Sequence, residues 1–240
     1  MTKGKFRTDK SGLKYAQILG VKLNITSEGG VLNAIGNFLA DKHKFSLITP
    51  NPELVVMASR DKKLLAVVNS FDLSVPDGVG LRLAVPNLPI IKGRKLFLAL
   101  VSLAKKKQWR IFFLGGENIP GVTPGPRLNT AGEVVSGDDC LEKINAARPD
   151  LLFVGFGMPK QENWIYKNAR KLNVGGIIAV GGTFDYVFGK AKLPPIWLEK
   201  AGLEWFWRLM VQPWRLARIF NAVIVFPLKV FRCKVRRKCA

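Results

Sequence analysis

Short apolar runs of four or five residues alternate along this chain with stretches whose apolar positions recur at helical spacing. From Tyr15 to Thr26 the pattern predicts an irregular or β entry segment. Ser27-Glu28 then opens a helix with Val31, Leu32, Ile35, Phe38 and Leu39 on one face. Phe45 to Thr49 reads as a strand, after which Asn51-Pro52-Glu53 supplies a helix cap, a proline for the first helical position and a first-turn acid. The next apolar run, Phe71 to Val75, stops at Pro76-Asp77-Gly78. Leu81 to Ala84 is a short helix ended by Pro86, Arg94 to Lys107 a long helix, and Arg110 to Leu114 a strand leading into Gly115-Gly116. Glu117 to Gly132 is rich in Pro, Gly and Asn and predicts an irregular loop. A short strand over Glu133 to Val135 and a helix from about Asp139 to Ala147 follow. Leu151 to Val154 has the composition of a buried parallel strand and runs into Gly155-Phe156-Gly157. Met158-Pro159-Lys160-Gln161-Glu162 opens a helix with Trp164 and Ile165 on its apolar side, and Gly176 to Val180 is a strand leading into Gly181-Gly182-Thr183-Phe184-Asp185.

Alternation of this kind predicts an α/β fold: a Rossmann-like, mostly parallel sheet with helices on both faces, wound right-handedly. In such sheets ligands bind outside the carboxyl ends of the strands, so Thr49, Asn51 and Asp77 share one crevice if their strands are neighbours. Paired glycines after a strand let a ligand approach the backbone, although a tight turn needs them equally.

The pattern changes near residue 195. We read 1–194 as the α/β domain and 195–240 as a basic, amphipathic helical appendage. From Trp205 onward there is no Asp or Glu, whereas Lys or Arg stands at 208, 215, 218, 229, 232, 234, 236, 237 and 238 among Trp205, Phe206, Trp207, Trp214, Phe220, Phe226 and Phe231. Such a mixture suits a helix lying in a membrane interface. Its longest apolar piece, Ile219 to Leu228, is half of the ~20 residues that crossing requires. The alternatives are a helical hairpin packed on the domain with a solvated basic tail, or an RNA surface on which aromatic side chains stack bases. Exposed apolar surface here could equally mark a contact between copies of the chain. If the helix runs on through Pro213, Arg208, Arg215 and Arg218 fall within roughly an 80° sector, where three guanidiniums can clamp a diphosphate.

Composition narrows the chemistry. The 240 residues carry a net charge of +21, which calls for an anionic partner. No RNA-binding signature such as Lys-Gly-Phe-Gly-Phe is present, and nine of the 38 Lys and Arg lie in the acid-free tail, so a nucleic-acid partner is not expected. His43 is the one histidine and sits in a charged turn without a nucleophile motif, which argues against Ser-His or Cys-His catalysis. Cys140, Cys233 and Cys239 form neither a disulfide framework nor a metal set. The basic N-terminus has no apolar core behind it and does not read as a secretory signal. No P-loop or dinucleotide fingerprint is present.

Several motifs in order, Thr49-Pro-Asn-Pro-Glu, Pro76-Asp77-Gly78, Phe113-Leu-Gly-Gly, Val154-Gly-Phe-Gly-Met-Pro-Lys-Gln-Glu, Val180-Gly-Gly-Thr-Phe-Asp and Gly202-Leu-Glu-Trp, resemble the WecG/TagA/CpsF family of bacterial glycosyltransferases over about Gly20 to Phe226. The resemblance implies an inverting transfer from a nucleotide diphosphate sugar to a polyprenyl-diphosphate-linked sugar. The sugar would be N-acetylmannosamine, its uronic acid or a hexose, and the enzyme would sit peripherally on the cytoplasmic face of the inner membrane, needing no cofactor or metal. It makes Asp77 the general base, gives Thr49 and Asn51 substrate positioning and Gln161 a sugar or acceptor contact, and closes the C-terminal arginines over the donor diphosphate. The glycines 115, 116, 155, 157, 181 and 182 would line the substrate site. The chain departs from the family at Ile90-Ile-Lys-Gly-Arg-Lys-Leu, where an arginine is expected before the glycine and an acid where Lys95 stands. It also departs at the proline-rich loop from Gly121 to Ala131, where a helix is expected. The hydrolytic alternative pairs Asp77 with Asp185 or Glu162.

Overall fold

The computed structural model describes residues 7–8, 11–116, 119–189 and 191–235; basic positions 236–238 and Cys239 lie outside them. An antiparallel entry sheet, β1 (Arg7–Thr8), β2 (Lys14–Ile18) and β3 (Val21–Asn24), precedes α1 (Glu28–Ala40), whose N-cap Ser27 accepts from the Gly30 amide. β4 (Phe45–Ile48), α2 (Pro52–Ala58), α3 (Lys62–Ser70), β5 (Leu73–Ser74), α4 (Gly93–Lys107) and β6 (Ile111–Leu114) follow. The short antiparallel pair β7 (Arg127–Leu128) and β8 (Val134–Ser136) leads to α5 (Leu141–Ala147), β9 (Leu151–Val154), α6 (Lys160–Asn168), β10 (Gly176–Ala179) and α7 (Thr183–Val187). The C-terminal part contains α8 (Ile196–Lys200), α9 (Glu204–Val211), α10 (Leu216–Phe220) and α11 (Phe226–Val235).

β5, β4, β10, β9 and β6 form, in that order, one five-stranded sheet whose neighbours are all parallel. Each strand alternates between two apolar layers, because successive side chains point to opposite faces. Ile48, Leu152, Val154, Ile177 and Ala179 meet α2, α3, α5 and α6 on one side. Phe45, Leu47, Leu151, Phe153 and Ile178 meet α1 and α4 on the other, joined by Phe184 of α7. The predicted α/β sheet with helices on both faces is therefore present. The order also makes a switch point at β4, since the chain leaves toward β5 on one side and later returns as β10 on the other.

The proline-rich loop carries no helix. Prolines at 120, 124 and 126 remove amide donors, and the chain runs extended instead: Thr123 donates to Phe113 O at 2.9 Å and accepts from the Gly115 amide at 2.9 Å. Cys140 is buried and free, whereas Cys233 is disulfide-bonded.

In the C-terminal part, α11 buries Phe226 and Val230 in the same apolar layer as Val55 and Leu81. Its outer face stays open: Phe231 is 66% and Val235 67% exposed. Lys229 Nζ donates to Ser59 Oγ at 2.9 Å and Lys234 Nζ to Leu83 O at 2.7 Å, pinning the helix along that line. Among the described residues no helix is long and apolar enough to cross a membrane. Truncating Phe226 to Ala should cost about 3–5 kcal/mol through the cavity left behind. We expect a lower melting temperature and early tryptic cleavage within 204–235; unchanged melting and protection would show that α11 gains nothing from this contact.

Candidate active site

All five strands of the sheet deliver their carboxyl-terminal loops to one edge, and a cavity of about 310 Å³ opens there. It collects Thr49 and Asn51 after β4, Asp77 after β5, Gly116 after β6, Gly155 and Gly157 after β9, and Gly181 and Gly182 after β10. Gln161 of α6 lines it too, as do Arg208, Arg215 and Arg218. Gly115 does not. It lines an adjoining cavity of about 620 Å³, which shares Gly116, Gly155, Phe156 and Asp185 with the first and extends under Gly125, Pro126 and Arg127.

Asp77 lies in a loop stitched to its neighbours: its amide donates to Pro50 O at 2.9 Å, and the Ile91 amide donates to Pro76 O at 3.0 Å. Gly78 takes φ 94°, which side-chain-bearing residues rarely adopt, so the turn after the acid requires glycine. Removal from water pushes the Asp77 carboxyl up to about 6; Arg208, the Gly93 amide hydrogen bond and Lys92 oppose this, and Glu204 adds to it. Gly93 begins the 15-residue helix α4, so the positive end of that helix faces the carboxylate. A Cβ at Gly93 would stand 3.3 Å from Thr49 Oγ1 and 3.4 Å from Asp77 Oδ2, close enough to disturb both groups.

Asn51 is committed to its helix, its Oδ1 accepting from the Leu54 amide at 2.9 Å, which leaves its side-chain NH2 for a ligand. Gln161 has a role the sequence did not suggest. Its Oε1 accepts from the Gly157 amide at 3.2 Å and the Gly181 amide at 2.9 Å, and its Nε2 donates to Glu162 Oε1 at 2.8 Å. One buried amide thus ties the β9 and β10 loops together. Glu162 is buried beneath it with Oε2 unpartnered, and burial pushes its carboxyl up to about 7.

The three arginines do not share one helix. α9 ends at Val211, a single 3₁₀ turn spans Pro213–Arg215, and α10 starts at Leu216, so the expected run through Pro213 is broken. They converge all the same, each held differently. The Arg208 guanidinium lies 5.2 Å from the Tyr186 ring centroid. Arg215 packs against Gly182 and is held below its ordinary pKa by burial and by Arg218 and Arg208. Arg218 Nε donates to Glu53 Oε1 at 2.6 Å.

Lys92, Arg94, Tyr186 and Glu204 line the cavity without having been singled out in the sequence. Lys92 and Arg94 fall in the stretch that departs from the family pattern, while Lys95 is exposed and lines neither of the two cavities. Burial would lower the Lys92 pKa, but hydrogen bonds from its ammonium to Glu199 and Glu204 more than offset this and raise it. Arg94 Nη2 reaches Glu199 Oε2 at 3.5 Å, so two cations beside Asp77 grip two acids of the C-terminal part. Asp185 and Glu162, the acids considered as hydrolytic partners, line the same cavity. Among the described residues no group of three or more His, Cys, Asp and Glu is placed to hold a metal ion.

A family model described as Glycosyl transferase WecG/TagA/CpsF family matches residues 16–240. The N-acetylglucosaminyldiphosphoundecaprenol N-acetyl-beta-D-mannosaminyltransferase of Bacillus subtilis (strain 168) is 33% identical over 189 residues, covering 72% of this chain and 74% of the relative. Proteins of the same name from Bacillus spizizenii (30% over 191 residues; 73% and 74%) and Staphylococcus aureus strain MRSA252 (27% over 250 residues; 97% and 98%) are also similar.

The Asp77 carboxyl titrates near 6 when folded, against an ordinary 3.8. Between those values the folded chain keeps a proton that the unfolded chain has lost, so this group's contribution to stability falls as pH rises through the window and stays low above it. Asp77→Asn should therefore be more stable than wild type at pH 7.5, by about 1–3 kcal/mol, and melt higher, with the difference closing toward pH 4. Equal melting temperatures at both pH values would show that the carboxyl is not desolvated.

Proposed function

The chain belongs to the WecG/TagA/CpsF family of glycosyl transferases, and on that premise we propose that it moves N-acetylmannosamine from a nucleotide diphosphate donor to N-acetylglucosaminyl-diphospho-undecaprenol. Names of the similar proteins support this choice of sugar and acceptor over a uronic acid or hexose. Membership of a transferase family also replaces the hydrolytic reading of Asp77. The observation that carries the proposal is a desolvated carboxyl and three arginines lining one cavity at the carboxyl edge of a parallel sheet.

Asp77 acts as general base. It takes the proton of the acceptor hydroxyl as that oxygen attacks the anomeric carbon, whose bond to the diphosphate oxygen breaks on the opposite face, inverting the centre. Negative charge develops on the leaving diphosphate, and Arg208, Arg215 and Arg218 stabilise it. Thr49 and the free side-chain NH2 of Asn51 position the reacting sugar beside the base. The donor's nucleoside extends past Asp185 into the adjoining cavity. Gln161 serves by holding the two glycine loops in register, in keeping with the two amides its Oε1 accepts from and the bond its Nε2 makes to Glu162.

The C-terminal part carries the enzyme to its lipid-linked acceptor. Ile196, Met210, Trp214 and Phe231 are 66–75% exposed, among basic residues that attract anionic headgroups. We assign this surface to the cytoplasmic face of the membrane, where the chain binds peripherally.

Transfer from a panel of nucleotide sugars to a short-chain analogue of the acceptor tests the reaction. One donor should be used, Asp77→Asn should lose about 10²–10⁴-fold in kcat, and the acid limb of kcat/KM should fall near pH 6. Asp77→Asn with undiminished kcat would remove the base from the mechanism. Excess EDTA should leave the rate unchanged; abolition restored by manganese would contradict an arginine-borne leaving group. Trp214→Ser with Phe231→Ser should weaken pelleting with anionic vesicles while leaving the melting temperature within a few degrees, and unaltered pelleting would place the lipid contact elsewhere.

A further inference from the structure

Arg208, Arg215 and Arg218 face one cavity, and both Arg218 and Arg208 add to the positive potential at Arg215. Without a ligand, three guanidiniums so placed repel one another, and a long side chain at the edge of such a group swings toward water unless something holds it. Arg218 is held. Its Nε donates at 2.6 Å to Oε1 of Glu53, a carboxylate whose side chain is only 12% exposed.

Glu53 lies in the first turn of α2, two residues after the Asn51 cap, and does not itself line the cavity. It stands behind the arginine. A guanidinium has five N–H donors in a fixed plane, and occupying the Nε edge from behind leaves the Nη groups free for an anion in front. Glu162, a second carboxyl that feels the charge of Arg218, is not hydrogen-bonded to it: its Oε1 accepts from Gln161 and its buried Oε2 has no partner, so the direct tie is the one to Glu53.

We propose that Glu53 is a positioning residue for Arg218, fixing its guanidinium at the cavity before substrate arrives so that the outer N–H groups meet the donor's diphosphate. The inference rests on the assignment of the arginines to the leaving diphosphate. It extends the role of the Thr-Pro-Asn-Pro-Glu segment: the turn that places Thr49 and Asn51 beside the base also anchors the clamp across the cavity. An acid in the first turn of a helix stabilises that helix through its dipole anyway. Coupling to Arg218 separates the two roles.

The experiment is a double-mutant cycle. Binding of inorganic pyrophosphate and of uridine diphosphate is measured by calorimetry for wild type, Glu53→Gln, Arg218→Gln and the double variant, each with its melting temperature. Glu53→Gln should weaken both ligands about tenfold, Arg218→Gln at least as much, and the double variant no more than Arg218→Gln alone. Glu53→Asp, which keeps the charge, should recover part of the loss. In transfer assays Glu53→Gln should raise the donor KM while leaving the acid limb set by Asp77 in place. Undiminished ligand binding in Glu53→Gln, or an equal loss in the Arg218→Gln background, would overturn the positioning role while leaving the clamp intact. Undiminished binding in Arg218→Gln would overturn the clamp and the positioning role together.

Discussion

A carboxyl group removed from bulk water at the floor of a cavity is the constraint on which this structure turns. Asp77 loses hydration, and its surroundings return part of it as the Gly93 amide at the head of α4 and the charges of Arg208 and Lys92. The first and third come from the head of α4 and the second from α9, more than a hundred residues later. Their approach depends on glycine at 93, where a side chain would crowd Thr49 and the acid, and at 78, where the backbone turns through a positive φ. The result is a base basic enough to accept a proton near neutrality and still ionised there.

The rest of the cavity follows from where the sheet ends. Parallel strands place all their carboxyl-terminal loops on one side, and glycines keep those loops close to the sheet. At Gly155 a Cβ would lie 2.5 Å from the Phe184 ring, so the β9 loop could not pack against α7 with any larger residue. Gln161 then joins the β9 and β10 loops through a single carbonyl oxygen that accepts two amides. Such a connection is held in place because the Gln161 side chain that makes it is itself buried and tied back to Glu162.

The C-terminal part closes the site by two kinds of contact. Apolar burial of Phe226 and Val230 docks α11 on the α2 side of the sheet. Ion pairs join Lys92 and Arg94 to Glu199 and Glu204, and Glu53 to Arg218. The surfaces left over, Trp214 and Phe231 among them, face outward. The C-terminal part therefore presents cations to the cavity and apolar side chains outward.

Local chemistry in the sequence determined the strands, the caps at Ser27 and Asn51, the turn at Asp77 and the paired glycines, because period-two and helical spacing and the needs of turns act over a few residues. Those features sufficed to predict an α/β sheet and to place Thr49, Asn51 and Asp77 at one edge. The distant meetings were decided by tertiary structure. β4 pairs with β10 across more than a hundred residues of chain, and Arg215 and Arg218 join Arg208 at one cavity although the helix breaks at Pro213 between them. Gln161 could be picked out as a site residue but not as a connector of loops, and Glu53 could be read as a helix acid but not as the partner of Arg218. Spacing along a chain carries no information about which side chains meet once helices break and strands reorder; packing and the pairing of buried charges settle that.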